Sequence, residues 1–242
     1  MKGDCPVKQD DYQLPEQEGA VQGRLLARPR RAKGPDLVGM QPLGLDGDRD
    51  GLLYVPPGYQ SNHPAPLVLT LHGAGGNARH ALAPLLPLAD ANGLILLATD
   101  SRLDTWDVLY GGYGPDVAFI DRALTLTFDR YKVDPARIAA EGFSDGASYA
   151  LSIGLTNGDL FTHVMAFSPG FMAPAGLHGS PRIFVSHGTR DAVLPIKVCS
   201  RRIVPRLQRA GYHPQYREFE GGHEVPPEIA REAVRWFLRS EG

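Results

Sequence analysis

The chain has 242 residues, 43% of them hydrophobic, a length and composition suited to one globular core. Its formal net charge of -2 excludes the field that gathers nucleic acid or anionic membrane and points to a neutral or small polar substrate. No run approaches the ~20 apolar residues of a membrane span, Met1 to Pro6 lacks the apolar centre of a signal peptide, and two cysteines, Cys5 and Cys199, make no disulfide framework, so a cytoplasmic setting is expected.

Residues 1–20 mix Lys, Asp, Glu and Gln without periodicity and are expected to form a loose extension, with residues 21–242 as a single domain. Gly23–Ala27 and Gly51–Val55 read as strands around Gly- and Asp-rich turns, which predicts an antiparallel start to a sheet. The basic cluster Arg28, Arg30, Arg31 and Lys33 lies beside Pro29, Gly34 and Pro35 and reads as a solvated hairpin loop. Beyond Pro66 the rhythm becomes strand, loop, helix. Leu67–Leu71, Leu94–Ala98, Ile138–Gly142, Val164–Phe167 and Ile183–Ser186 are short apolar runs of the kind buried on both faces of a sheet.

Between them, the stretch from Pro115 opens with proline and Asp116 and places Val117, Ile120, Leu124 and Thr127 or Phe128 on one side, as a capped amphipathic helix does. The last helix carries Ile229, Ala230, Ala233, Val234 and Phe237 as its core stripe, with Arg231, Glu232, Arg235 and Arg239 facing water. This alternation predicts an α/β fold with a mostly parallel sheet and helices on both faces. The short connections leave little material for a lid domain.

The chemistry concentrates where strands end. Gly142-Phe143-Ser144-Asp145-Gly146 puts a serine at a sharp strand-to-helix turn, where its flanking glycines leave room for the backbone. A serine hydroxyl needs a positioned base and an orienting carboxylate. His187-Gly188-Thr189-Arg190-Asp191 supplies an acid and Gly221-Gly222-His223-Glu224 a base, giving the chain order Ser144, Asp191, His223. Asp100 and Asp116 compete for the acid's part, although helix capping accounts for Asp116. Ser144 as a simple helix cap is the bland alternative. Upstream, Leu71-His72-Gly73-Ala74-Gly75-Gly76 is a glycine-rich turn whose backbone N–H groups, with that of Asp145, suit an oxyanion. His72 and His187 read as structural hydrogen-bonding residues.

These four blocks together resemble the α/β-hydrolase fold, and within it the small bacterial carboxylesterases of phospholipase/carboxylesterase type, over residues 50 to 239. Gly114-Pro115-Asp116-Val117 before a helix is similar to polyhydroxybutyrate depolymerases and feruloyl esterases, from which the chain departs in its low cysteine count. The resemblance implies a serine esterase acting on small carboxylic esters without cofactor or metal, with Ser144 as nucleophile, His223 as base and acid, Asp191 as orienting acid, and the N–H groups of Ala74 (or Gly75) and Asp145 as oxyanion hole. Lysophospholipids, thioesters and feruloyl or polyester substrates use the same machinery. Trp106 and Tyr110, with Tyr113, either cover the core or line a pocket, and Phe171, Met172, Val193, Leu194 and Val225 form an acyl pocket or pack the core.

Two rival readings stand beside it. Gly73-Ala74-Gly75-Gly76-Asn77-Ala78 followed by Asp100 matches a dinucleotide-binding turn, which leaves the Ser144 block unused. A non-catalytic binding protein on the same scaffold is the other.

Overall fold

The computed structural model describes residues 14–34 and 37–239; Cys5 and the larger part of the expected loose extension lie outside them. Helix α1 (Leu14–Val21) occupies the end of that stretch, with Ala20 buried in the core.

Eight strands form one sheet: β1 (Gly39–Pro42), β2 (Gly51–Val55), β3 (Ala65–Leu71), β4 (Ile95–Thr99), β5 (Val133–Phe143), β6 (His163–Phe167), β7 (Arg182–Gly188) and β8 (Gln215–Phe219). Their spatial order is β1-β2-β4-β3-β5-β6-β7-β8. The β1–β2 and β2–β4 pairs are antiparallel and all others parallel, so the expected antiparallel start is present. Its first strand is Gly39–Pro42, a run with no β-branched or aromatic residue. The helices are α2 (Ala78–Leu82), α3 (Leu86–Asn92), α4 (Pro115–Arg130), α5 (Asp145–Thr156), α6 (Ser200–Arg209) and α7 (Pro227–Leu238).

Because β3 to β7 are apolar on both faces, each face needs a cover. On one, Val117, Ile120, Leu124, Ala147, Leu151, Ile203 and Leu207 bring α4, α5 and α6 against the sheet. On the other, Ala81, Ala89, Ile229, Ala233 and Phe237 bring α2, α3 and α7. Every residue expected on the core sides of α4 and α7 is buried, and so is Trp236. Glu141 lies inside β5 at 1% exposure; burial pushes its carboxyl well above the ordinary range, and the neutral acid is the form that tolerates such a site.

The segment Gly23–Ala27 is not a strand. Its backbone donors are taken elsewhere, so no ladder forms: Gly23 and Arg24 N–H donate to Ala20 O and Gly19 O, Leu25 N–H donates to Asn157 Oδ1 at 2.8 Å, and Leu26 and Ala27 N–H donate to Asp121 Oδ1 at 2.7 and 2.8 Å. Asn157 Nδ2 in turn donates to Gly23 O. Without that strand there is no hairpin at the basic cluster either. Arg28 pairs with Asp159, as does Arg24, and Arg30 pairs with Asp129.

Candidate active site

All the chemistry-bearing blocks follow the carboxyl ends of parallel strands, where open α/β sheets gather their sites. Ser144 comes directly after β5 and starts α5. Its backbone sits at φ 59, ψ -121, a region L-residues occupy at a cost of about 1–3 kcal/mol. Three contacts hold it there. Ser144 N–H donates to Phe167 O at 3.0 Å, Ser144 O accepts from Ser148 N–H at 3.0 Å, and the glycines on either side admit the turn. A Cβ on Gly142 would lie 2.2 Å from Gly146 O.

Asp191 follows β7 and His223 follows β8, two adjacent parallel strands, which brings the two loops together. His223 Nδ1 donates to Asp191 Oδ2 at 2.7 Å, and its Nε2 lies 2.9 Å from Ser144 Oγ. The His223 ring rests on that of Phe143 with centroids 4.6 Å apart. The other carboxylate oxygen of Asp191 accepts from Val193 and Leu194 N–H at 2.9 and 2.8 Å. Burial pushes the Asp191 carboxyl up, but hydrogen bonds from His223, Leu194 and Val193 outweigh it and leave the pKa below the ordinary value. Asp191 is therefore an anion aimed at His223.

The two competing acids are occupied elsewhere. Asp100 accepts from Ala78 N–H at the start of α2; in the dinucleotide reading this is the group that would bind a ribose. Asp116 accepts from Arg102 and Asp107 N–H, and burial together with the nearby Asp107 raises its carboxyl to about 6.

The glycine-rich turn after β3 resolves which backbone donors are committed. Gly75 N–H donates to Asp104 O at 2.7 Å and Gly76 N–H to Gly73 O at 3.0 Å. Among the described residues, the N–H groups of Ala74 and Asp145 have no acceptor. His72 supports the turn: Ser101 N–H donates to its Nε2 at 3.0 Å, so its proton lies on Nδ1, 2.8 Å from Gly73 O. Burial lowers its pKa, consistent with that neutral tautomer. His187 plays the matching part for the acid loop, with Nε2 2.7 Å from Leu194 O and Nδ1 2.7 Å from Ser200 Oγ.

The expected pocket residues divide. Trp106 is fully buried, stacked on Tyr149 at 4.8 Å, with its indole N–H donating to His72 O; it packs beneath the site and presents no face to a ligand. Met172 is also part of the core. Tyr110 and Val193 are exposed, Phe171 and Leu194 half-buried, and Val225 packs against the second core cluster.

Sequence reasoning passed over a ladder on α5. Ser148, Ser152 and Thr156 each donate to the carbonyl four residues earlier and accept from the loop after β6. Gly170 N–H reaches Ser148 Oγ at 2.9 Å, Ala173 N–H reaches Ser152 Oγ at 2.9 Å and Ala175 N–H reaches Thr156 Oγ1 at 3.1 Å. The signal was present as three hydroxyls at i, i+4 and i+8, one face of a helix. Thr105, whose hydroxyl donates to Asp145 Oδ2 at 2.9 Å, was passed over as well. Among the described residues no three His, Cys, Asp or Glu side chains gather as a metal site, and no helix is long and apolar enough to cross a membrane.

The chain is similar to the probable feruloyl esterase C of Aspergillus oryzae, 31% identical over 170 residues that cover 65% of this chain and 62% of that protein. It thus spans about three-fifths of the length of the curated relatives it matches. Among solved structures it superposes on esterase PE8 with a TM-score of 0.64 at 23% identity, covering 78% of this chain and 98% of the other. A ferulic acid esterase from Anaeromyces mucronatus, solved with ferulic acid, gives 0.60 at 19% identity over 83% and 90%. These likenesses establish the fold as that of the α/β-hydrolases. The model of the phospholipase/carboxylesterase family matches residues 118–239, half of the chain, a span that takes in Ser144, Asp191 and His223, and to that family this protein belongs.

Proposed function

We propose that the protein is a serine carboxylesterase acting on small carboxylic esters, with residues 21–242 as its catalytic domain. One observation carries the reading: the unbroken relay from Asp191 Oδ2 through His223 to Ser144 Oγ, at 2.7 and 2.9 Å. Ser144 Oγ attacks the ester carbonyl while His223 Nε2 takes its proton, and the Asp191 carboxylate stabilises the imidazolium. The carbonyl oxygen becomes an oxyanion facing the free N–H groups of Ala74 and Asp145. Collapse expels the alcohol with the proton from His223, and water activated by the same imidazole releases the acid and restores Ser144.

Tyr110, Phe171, Val193 and Leu194 are the side chains of this reading that contact the acyl or aryl group. The relatives named as feruloyl esterases favour aryl-acyl esters as the class to test first. The cytoplasmic setting expected from the two cysteines goes with the proposal.

The test is labelling with a fluorophosphonate followed by peptide mass spectrometry, beside hydrolysis of p-nitrophenyl esters of rising chain length and of methyl ferulate. Modification of Ser144, and loss of both labelling and turnover in Ser144→Ala, is the expected result. Labelling at another residue, or turnover kept by Ser144→Ala, overturns it.

A further inference from the structure

Three consecutive residues of the segment after β4 each grip a different part of the site. Asp104 O accepts from Gly75 N–H at 2.7 Å, Thr105 Oγ1 donates to Asp145 Oδ2 at 2.9 Å, and Trp106 Nε1 donates to His72 O at 2.9 Å. The outer two hold the glycine turn that carries Ala74. The middle one holds the residue whose N–H is the second free donor.

Asp145 is an awkward residue for that place. Its backbone N–H suits a developing negative charge, yet the same residue carries a carboxylate on its side chain. Placement in the first turn of α5 does not by itself fix the direction of that side chain. Asp145 is half-buried, and of its two carboxylate oxygens Oδ2 alone has a hydrogen-bond partner among the described residues, the Thr105 hydroxyl.

We propose that Thr105 is a positioning residue that ties the Asp145 carboxylate back from the oxyanion site, so that Asp145 offers its N–H without its charge. The inference rests on the esterase reading above. Repulsion of an oxyanion acts on the transition state and barely on the neutral ground-state ester, so losing the tether lowers kcat and leaves KM nearly unchanged.

A double-mutant cycle with p-nitrophenyl acetate tests this, each protein being titrated with a phosphonate so that rates refer to intact sites. Thr105→Val is expected to lower kcat at least tenfold with KM within threefold of wild type, and Thr105→Ser, which keeps the hydroxyl, to stay within threefold in both. In the Asp145→Asn background, where no anion needs restraint, Thr105→Val is expected to cost less than threefold. A kcat loss equal in both backgrounds, or none in either, overturns the inference; Thr105→Ala gives a second cycle in which valine packing plays no part. Ser144→Ala, run in parallel, separates the failures: turnover retained there defeats the esterase reading, whereas an inactive Ser144→Ala beside a fully active Thr105→Val defeats the tether alone.

Discussion

The imidazole of His163 meets the indole of Trp236 edge-on, ring centroids 5.2 Å apart, with Phe237 on a second edge at 5.0 Å. Among the described residues its Nε2 is buried without a hydrogen-bond partner, and burial, with smaller contributions from Arg182 and Arg137, lowers its pKa to about 4. The unfolded chain, titrating near the ordinary 6.5, binds more protons than the folded one between these values. Stability therefore falls as pH drops from 6.5 toward 4. Urea unfolding at pH 7.5 and 4.5 is expected to show a loss of roughly 2–3 kcal/mol from this group, which His163→Gln removes from the pH dependence whatever it does to stability at pH 7.5.

Gly146 admits no side chain: a Cβ there would lie 2.0 Å from Leu71 O. Since that oxygen belongs to the end of β3, relief requires the Ser144 turn to lift off the sheet. Gly146→Ala is expected to lower kcat at least a hundredfold and the melting temperature by several degrees, on the order of 1–3 kcal/mol for overpacking of this kind. Gly39→Ala is the control by differential scanning fluorimetry, because among the described residues nothing lies within 4 Å of its Cβ position and its left-handed backbone costs roughly 1–2 kcal/mol.

Asp191→Asn separates orientation from attack. The carboxylate accepts on both oxygens, from His223 on one and from two backbone N–H groups on the other. An amide has one accepting oxygen, so its NH2 must face either the imidazole or those two donors. The expected result is a kcat loss of about a thousandfold or more with KM little changed, read by steady-state kinetics, while far-UV circular dichroism stays that of the wild type.

Ser148→Ala cuts the upper rung of the α5 ladder and releases Gly170 and Phe171 N–H; it also removes the hydroxyl's bond to Ser144 O, which keeps the Ser148 N–H as donor. With the Phe171 N–H released, KM for an aryl ester is expected to rise about threefold to tenfold and kcat to change less than twofold, on the rule that ground-state contacts appear in KM. An equal change for acetyl and feruloyl esters would assign Phe171 no part in acyl recognition.

The parts legible in the sequence were those with a local period. Strands β3 to β7 announce themselves as apolar runs because both of their faces are covered, and α4 and α7 by a 3.6-residue stripe. The three residues of the Ser144 relay could be named because strand-end loops carry them in a fixed chain order, although nothing local says that β7 and β8 are neighbours. Where long-range partners decide, the reading failed. Gly23–Ala27 has the look of a strand, yet Asp121 and Asn157 take the donors of Leu25, Leu26 and Ala27. Trp106 sits in a loop and is nonetheless buried, since Tyr149 and His72 meet it from two other elements. Thr105 gives no signal of its own, being defined by a partner forty residues away.

The clasp made by residues 23–28 has its two halves far apart in time as well as in sequence. Gly23 and Leu25 leave the ribosome about 130 residues before Asn157, and Arg24 and Arg28 a similar distance before Asp159. At ~5–20 residues per second of synthesis, the early half spends several seconds or more with nothing to grip. Asn157 closes the far end of α5, the helix that Ser144 begins. The nascent chain thus receives α5 complete before the opening segment can seal it.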